Sequence, residues 1–511
     1  MKKTLLIAFL VMIIPAAAGA GALKVGASSG VNSLDPHFHN ETPTNSVNYN
    51  IFDGLINFDK DLNPYAVLAE SWKVVDDVTW QFNLRKDVTF HNGNTFNADD
   101  VVWSFNRAKN NKKSGFKGSV SAIEKVEKID EYTVNVVTKG PFPILLRKLS
   151  YLRIMDKEYS EKLSDEELGL KPVGTGPYKL VKWQRGQRLI LEANPDYFLG
   201  KPAIAKVELR PLTNDSTRVA SMLSNAVHLI DRVPVRDVAR IKANKQLQFF
   251  MRPGLRLIYL QMDHAREKSP YIEGVDKNPF QDVRVRKALY YGINQDEIVK
   301  HIMGGFAVPA AQYYPVAVNG HKKGLVRPAY NPEKAKALLR EAGYENGFTV
   351  TLDSPNDRYI NDEKIAQAVA SSLAKIGITV KVNAIPKASF FPKANDTDSS
   401  FNLIGWACSD GDGSAFLDTC VHTYDQEKGY GRYNGGRYSN KEVDEIIEKS
   451  SKVLDPKERE EMLIEVMNRA LLKEQNIIPL HYQVDLYAVS RNVEMAPRAD
   501  NYLYFYDMKL K

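Results

Sequence analysis

The sequence predicts a mixed α/β protein of two or three domains. Three observations carry this. The chain has 511 residues, more than one hydrophobic core organises. Strand-like and helical periodicities alternate between about residues 260 and 400, the pattern of a sheet with helices packed on it. The part before is richer in strands.

The first residues read MKKTLLIAFLVMIIPAAAGAGA. Lys2 and Lys3, an apolar run over residues 5–14 and the small residues after it predict a cleaved signal peptide over residues 1–20. The run is too short for a membrane span, which needs about 20 apolar residues. No cysteine follows it, so an exported, periplasmic protein without a lipid anchor is expected. Hydrophobic residues make up 43% and charged residues 26%, the balance of a globular domain. The formal net charge is +7 and is not gathered into basic blocks. A mixed-charge surface is the simpler reading, and no nucleic-acid partner is expected.

Residues 79–90, TWQFNLRKDVTF, alternate apolar and polar side chains as a half-buried strand does. A turn at Asn92–Gly93 follows. Asn97 then caps a helix whose first turn carries Asp99 and Asp100, with Val101, Val102 and Phe105 on its buried side. Trp72, Trp80, Phe82, Phe90 and Trp103 are read as core, and His91 as a hydrogen-bonding turn residue. YTVNVVT, residues 132–138, is a further strand. KPVGTGPYKL, residues 171–180, is Gly/Pro punctuation. FFMRPGLRLIYL, residues 249–260, carries Pro253–Gly254 between two apolar runs and is expected to cross between domains. Asn331, Pro332 and Gly343 cap, start and stop a helix. Ile365, Val369, Leu373 and Ile376 line the next helix, which Gly377 ends before the strand ITVKVNAI. NIIPLHYQVDLYAVS, residues 476–490, reads as a late strand pair.

Several of these segments carry a family signature. LAESWKVVDDVTWQFNLRKDVTFHNGNTFNADDVVWSF, GTGPYKL, FQDVRVRKALYYGINQDEIV and YNPEKAKALLREAGY follow one another in the family's order. From Leu23 to the C-terminus the chain resembles the bacterial extracellular solute-binding proteins, family 5, the peptide-type binding subunits of ABC importers. The resemblance implies a two-lobed periplasmic-binding-protein fold that closes over its ligand. Lobe I is expected over residues 21–256, with a subdomain inserted at about 60–170. Lobe II is expected over 257–480, and 481–511 return to lobe I. It also implies a monomer that captures di- or oligopeptides and delivers them to an inner-membrane permease pair with its ATPases. Haem, glutathione and nickel-complex binders exist in the family and stand as alternatives.

A peptide brings an amine, a carboxylate and a backbone into a cleft that excludes water, so each charge needs a partner. The stretch GWACSDGDGSAFLDTCVHTY holds the best amine partners. Peptide-binding relatives place an aspartate three positions after this tryptophan; here Ser409 stands there, and the aspartates are Asp410 and Asp412. Asp410 is expected to take the amine, with Asp412 as the alternative and Trp406 walling a side-chain pocket. Arg358, just before a helix start, is expected to take the carboxylate. The polar run of residues 41–46 is a further ligand-contact candidate. Cys408 and Cys420, too far apart for a redox CxxC, are expected to form a disulfide in an oxidising compartment and so to order the loop between them. No cofactor and no metal are expected, although the spacing of His37 and His39 suits a metal. No nucleophile elbow, zinc motif or phosphate loop is present, so the chain is not read as an enzyme. An exported hydrolase using Asp410 and Asp412 is the remote alternative.

Overall fold

The computed structural model describes residues 21–511; the expected signal peptide lies outside the described residues. Two long antiparallel strands, Leu247–Met262 and Ile477–Ser490, form the spine of a twelve-stranded sheet. Leu257–Met262 are buried along their whole length, as a strand covered on both faces must be, which is why the sequence there is apolar apart from Gln261. To one side of the spine lies Phe401–Ala407, then Thr349–Pro355, which pairs in parallel with Thr379–Ile385. To the other side lie Leu229–Ile230, Leu23–Ala27, Lys206–Pro211, Arg188–Ala193 and Tyr178–Gln184, in that order. Where a late strand pair was expected, the structure has one strand of 14 residues. No turn breaks it. Pro479, which lacks an N–H, sits where the register slips between Ile258 and Tyr259, the kind of place a sheet tolerates proline.

The helices between 332 and 376 form as their caps require. The Asn331 side chain accepts from Lys334 N–H at 2.9 Å, Pro332 opens the helix Pro332–Glu341, and Gly343 takes φ +84°. The helix Asp362–Ala374 buries Ile365, Val369 and Leu373 against the sheet, and Gly377 ends the segment at φ +90°.

A separate four-stranded antiparallel sheet runs Ala69–Val74, Thr79–Leu84, Thr133–Thr138, Ile123–Asp130. The helix Ala98–Asn110 covers it and closes a core of its own around Phe82, Phe90, Phe96, Val134 and Val136. Asn97 caps this helix: its side chain accepts from Asp99 N–H at 2.7 Å, while the Asp100 carboxylate accepts from Asn97 N–H at 3.0 Å. Its buried face is Val101, Phe105 and Ala108, so Val102 is turned half out. Trp80, Phe82 and Phe90 are core; Trp72 and Trp103 pack against core clusters while partly exposed.

The HNG and GTGPY motifs hold each other. His91 Nε2 lies 2.9 Å from the Gly176 carbonyl, and His91 N–H donates to the Gly174 carbonyl at 2.8 Å. Burial pulls the imidazole down to about 4, so it is neutral and structural. Gly174 is required by closeness rather than by conformation: a β-carbon there would lie 2.1 Å from the Ile51 carbonyl oxygen. Gly174→Ala is therefore expected to lower unfolding free energy by about 1–3 kcal/mol in urea titration. Gly140→Ala, where a β-carbon meets nothing within 4 Å, should be nearly neutral.

Candidate functional site

The spine opens at one point. Arg252 and Pro253 pair with Asp485 and Val484, but the next paired residue is Leu257, opposite Tyr482. The bulge leaves Gly254, Leu255 and Arg256 facing Gln483, and it turns these residues and Asp485 toward a cavity of about 1090 Å³. Bulges re-aim side chains in this way. The other walls are the start of the helix Thr42–Ile51 (Glu41, Thr42, Asn45), the segment 232–236, the loop before the helix Asp362–Ala374, and residues 407–415. The run 41–46, expected as a ligand contact, thus reaches the cavity as a helix start rather than as a loop.

Arg358 lines this cavity as the sequence suggested. The Asp362 carboxylate accepts from the backbone N–H of Arg358 at 3.0 Å and of Tyr359 at 2.9 Å, so the turn that presents Arg358 is locked. Its guanidinium sits 5.3 Å from the Tyr359 ring centre, and Arg256 sits 5.8 Å from the same ring. Burial and the neighbouring Arg358 charge lower the Arg256 guanidinium below its ordinary value. Among the described residues no carboxylate lies within the 4.0 Å of an ion pair from either arginine. Two adjacent cations without a counter-ion are costly unless an anion joins them.

The aspartate loop divides. Asp410 lines the cavity beside Ser409, but its carboxylate already receives Lys148 Nζ at 2.7 Å. Arg147 Nη1 donates to the Asp410 carbonyl at 3.1 Å, and the Tyr151 hydroxyl donates to the Ser409 carbonyl. Asp412, the alternative amine partner, does not reach the cavity. It is fully buried and takes both nitrogens of Arg459 at 2.7 Å each, with the Ser414 hydroxyl at 2.7 Å and Asn319 Nδ2 at 3.1 Å. Burial opposes its ionisation; the bonds and charge of Arg459 outweigh that and hold the carboxyl well below the usual range. Trp406 is also off the cavity. It stands opposite Leu257 in the sheet and packs on Tyr433 with ring centres 5.2 Å apart.

The expected Cys408–Cys420 disulfide is absent: both residues are unbonded and buried. They behave as small apolar residues inside one core cluster with Tyr259, Phe416 and Leu417, and burial pushes the Cys420 thiol up to about 12. The ordering expected of a disulfide is supplied by the Asp412–Arg459 pair. His37 and His39 do not converge on a metal. His37 is buried, with Nε2 2.8 Å from the Arg153 carbonyl and Nδ1 3.2 Å from Arg107, while His39 is exposed.

Asp485 was not foreseen. It stands beside the bulge, opposite Arg252 and half-buried, and its one side-chain hydrogen bond comes from Asn501 Nδ2 at 3.0 Å. Burial, only partly offset by the Arg232 charge, pushes its carboxyl up to about 7. Gly254 leaves the space above it open: a β-carbon there would lie 3.0 Å from Asp485 Oδ2. Arg232, on the wall beside it, holds a left-handed φ of +48°, a conformation that costs energy in a non-glycine residue. The signals that point here are a Pro–Gly step flanked by Arg252 and Arg256, and Asp485 as the one acid of its strand.

Two outcomes follow from these charges. Arg459→Leu leaves Asp412 buried without its partner and is expected to cost about 3–5 kcal/mol, read by chemical unfolding. Asp485 works in the opposite sense. Its folded carboxyl titrates at about 7 against an ordinary 3.8, so ionising it burdens the folded state progressively from about pH 4 and fully above pH 7. Asp485→Asn should therefore raise the melting temperature of the unliganded protein at pH 8, and the gain should fade toward pH 4.

Residues 63–428 match the family model described as bacterial extracellular solute-binding proteins, family 5. The glutathione-binding protein GsiB of Salmonella choleraesuis is 29% identical over 487 residues, covering 93% of this chain and 92% of that protein. Among solved structures, HbpA2 from Haemophilus parasuis aligns with a TM-score of 0.87 at 25% identity, covering 96% of this chain and all of that one. The periplasmic binding protein DppA from Helicobacter pylori, in complex with the peptide STSA, aligns with a TM-score of 0.74 at 27% identity, over 96% and 98% of the two chains. The match over most of the chain, with the two-lobed architecture it brings, places this protein in family 5 of the bacterial extracellular solute-binding proteins.

Proposed function

We propose that this protein is the periplasmic receptor of an ABC importer and captures small peptides in the cavity at the spine bulge. The observation that carries the reading is that Arg256 and Arg358 both line the cavity about the Tyr359 ring, without a carboxylate partner among the described residues. A ligand carboxylate between them relieves both the repulsion and the desolvation, and the planar guanidinium suits it. Ser409 and Asp410 also line the cavity, just beyond Ala407, which pairs with Arg256, and Lys148 and Tyr151 fasten them. Lobe I is taken as residues 21–256 and 481–511 with its insertion at about 60–170, and lobe II as 257–480. On that division the two spine strands are the hinge, and ligand caught between the lobes draws them together. Residues 1–20 serve as a cleaved export signal, and no helix among the described residues is long and apolar enough to cross a membrane. The protein acts as a monomer, without a cofactor and without catalysis, and hands its ligand to a membrane permease pair driven by ATPases.

A second reading is favoured by a specific feature. Relatives are named for glutathione, a peptide with two carboxylates, and the cavity presents Arg232, Arg256, Arg358 and Lys364 against Glu41 and Asp485 as charges outside any protein ion pair. The test is thermal shift of the purified protein with di- to pentapeptides, glutathione, haem and Ni²⁺, followed by recovery of the ligand. Peptides or glutathione should raise the melting temperature and return intact. Stabilisation by haem or Ni²⁺ alone would contradict the peptide reading, and time-dependent cleavage would contradict a receptor.

A further inference from the structure

We propose that Asp485, not Asp410, receives the ligand's ammonium group, and that the cavity selects peptides carrying one more acidic group than amine. The inference rests on the peptide-capture reading and names the anchor and charge class within it. Asp410 is committed: Lys148 Nζ stands 2.7 Å from its carboxylate, and the loop around it is held by Arg147 and Tyr151. Asp485 is the carboxylate that the bulge uncovers. It has an amide rather than a cation as its direct partner, and the missing side chain of Gly254 keeps one of its oxygens clear. A primary ammonium is compact and brings three donors, so it fits a narrow opening above a carboxylate oxygen.

The charge class follows from what remains. Glu41 accepts from Asn32 Nδ2 at 2.6 Å and the Thr44 hydroxyl at 2.9 Å, so its oxygen is taken while its charge stays. Asp215 and Asp500 are paired with Arg218 and Arg498 at 2.7 Å each. Among the described residues Arg232, Arg256, Arg358 and Lys364 have no such partner, and two of the arginines share one aromatic ring. One ammonium on Asp485 leaves these cations uncompensated. Glu41 offsets one of the four and a single carboxylate another, and a second carboxylate brings the wall close to neutral. A neutral dipeptide therefore leaves a desolvated cation behind, which is the costly arrangement.

The experiment is calorimetric titration of the full-length mature protein and its Asp485→Asn and Asp410→Asn variants with glutathione, Ala-Glu and Ala-Gln, each free and N-acetylated. For the wild-type protein, free amines should bind at least about 30-fold more tightly than their acetylated forms, and Ala-Glu at least about 10-fold more tightly than Ala-Gln. In Asp485→Asn the preference for the free amine should collapse while the preference for Ala-Glu persists. Asn keeps the acceptor for Asn501, and the unliganded melting temperature reports that the variant is folded. Loss of the amine preference in Asp410→Asn, with Asp485→Asn like wild type, would overturn the anchor. Equal affinity for Ala-Glu and Ala-Gln would overturn the charge class. Failure of the wild-type protein to bind any of these peptides would overturn the capture reading together with this inference.

Discussion

The constraint on which the molecule depends is the antiparallel pairing of Leu247–Met262 with Ile477–Ser490. These segments lie more than two hundred residues apart in the chain, yet twelve pairs of residues register between them. Every other strand of the large sheet is reached from this pair, five on the side of Leu229–Ile230 and the helix-covered set on the side of Phe401–Ala407. Such a contact carries a large loop-closure cost. Once formed, it places a short irregularity at the centre of the molecule, where both halves of the chain meet.

Binding chemistry collects at that irregularity for a physical reason. A regular ladder uses up its backbone donors and acceptors and points its side chains into the two layers. At the bulge, the three residues Gly254–Leu255–Arg256 stand where one partner residue stands opposite, so backbone and side chains are released toward the cavity. The same place tolerates what a core does not: a half-buried carboxylate raised to about 7, a guanidinium lowered by burial beside another, and a strained Arg232. Each is a cost to folding, and on the proposed reading the two electrostatic costs are relieved by one zwitterionic ligand with surplus acid. The aspartate loop that follows the neighbouring strand is the rigid counterpart. Asp412 and Arg459 bind each other with full geometry below the surface, and this fixes Ser409 and Asp410 at the rim.

Much of this was legible in the sequence where the cause is local. Asn331, Pro332 and Gly343 mark a helix because a cap, a first-turn proline and a left-handed stop act within a few residues. Asn97 with Asp100 does the same. The mixed α/β class and Arg358 at the cavity followed from periodicity and from the family's motif order. What escaped is non-local. Asp410 meets Lys148 across 262 positions and Asp412 meets Arg459 across 47, so nothing in SDGDGS distinguishes the aspartate that faces the cavity from the one that is buried. The cysteines misled because their separation fits a disulfide, whereas the ion pair already orders the loop and the thiols are core. Asp485 escaped because a single acid in an apolar strand gains meaning only when the opposite strand bulges away from it.

The central claim is that ligand is held where the two spine strands part. A crystal structure of the protein grown with glutathione or an acidic dipeptide tests it most directly. The account predicts ligand density against the bulge, a carboxylate within hydrogen-bonding distance of Arg256 and Arg358, an ammonium on Asp485, and Asp410 still on Lys148. Ligand bound elsewhere, or a ligand amine on Asp410 with Lys148 displaced, would contradict it.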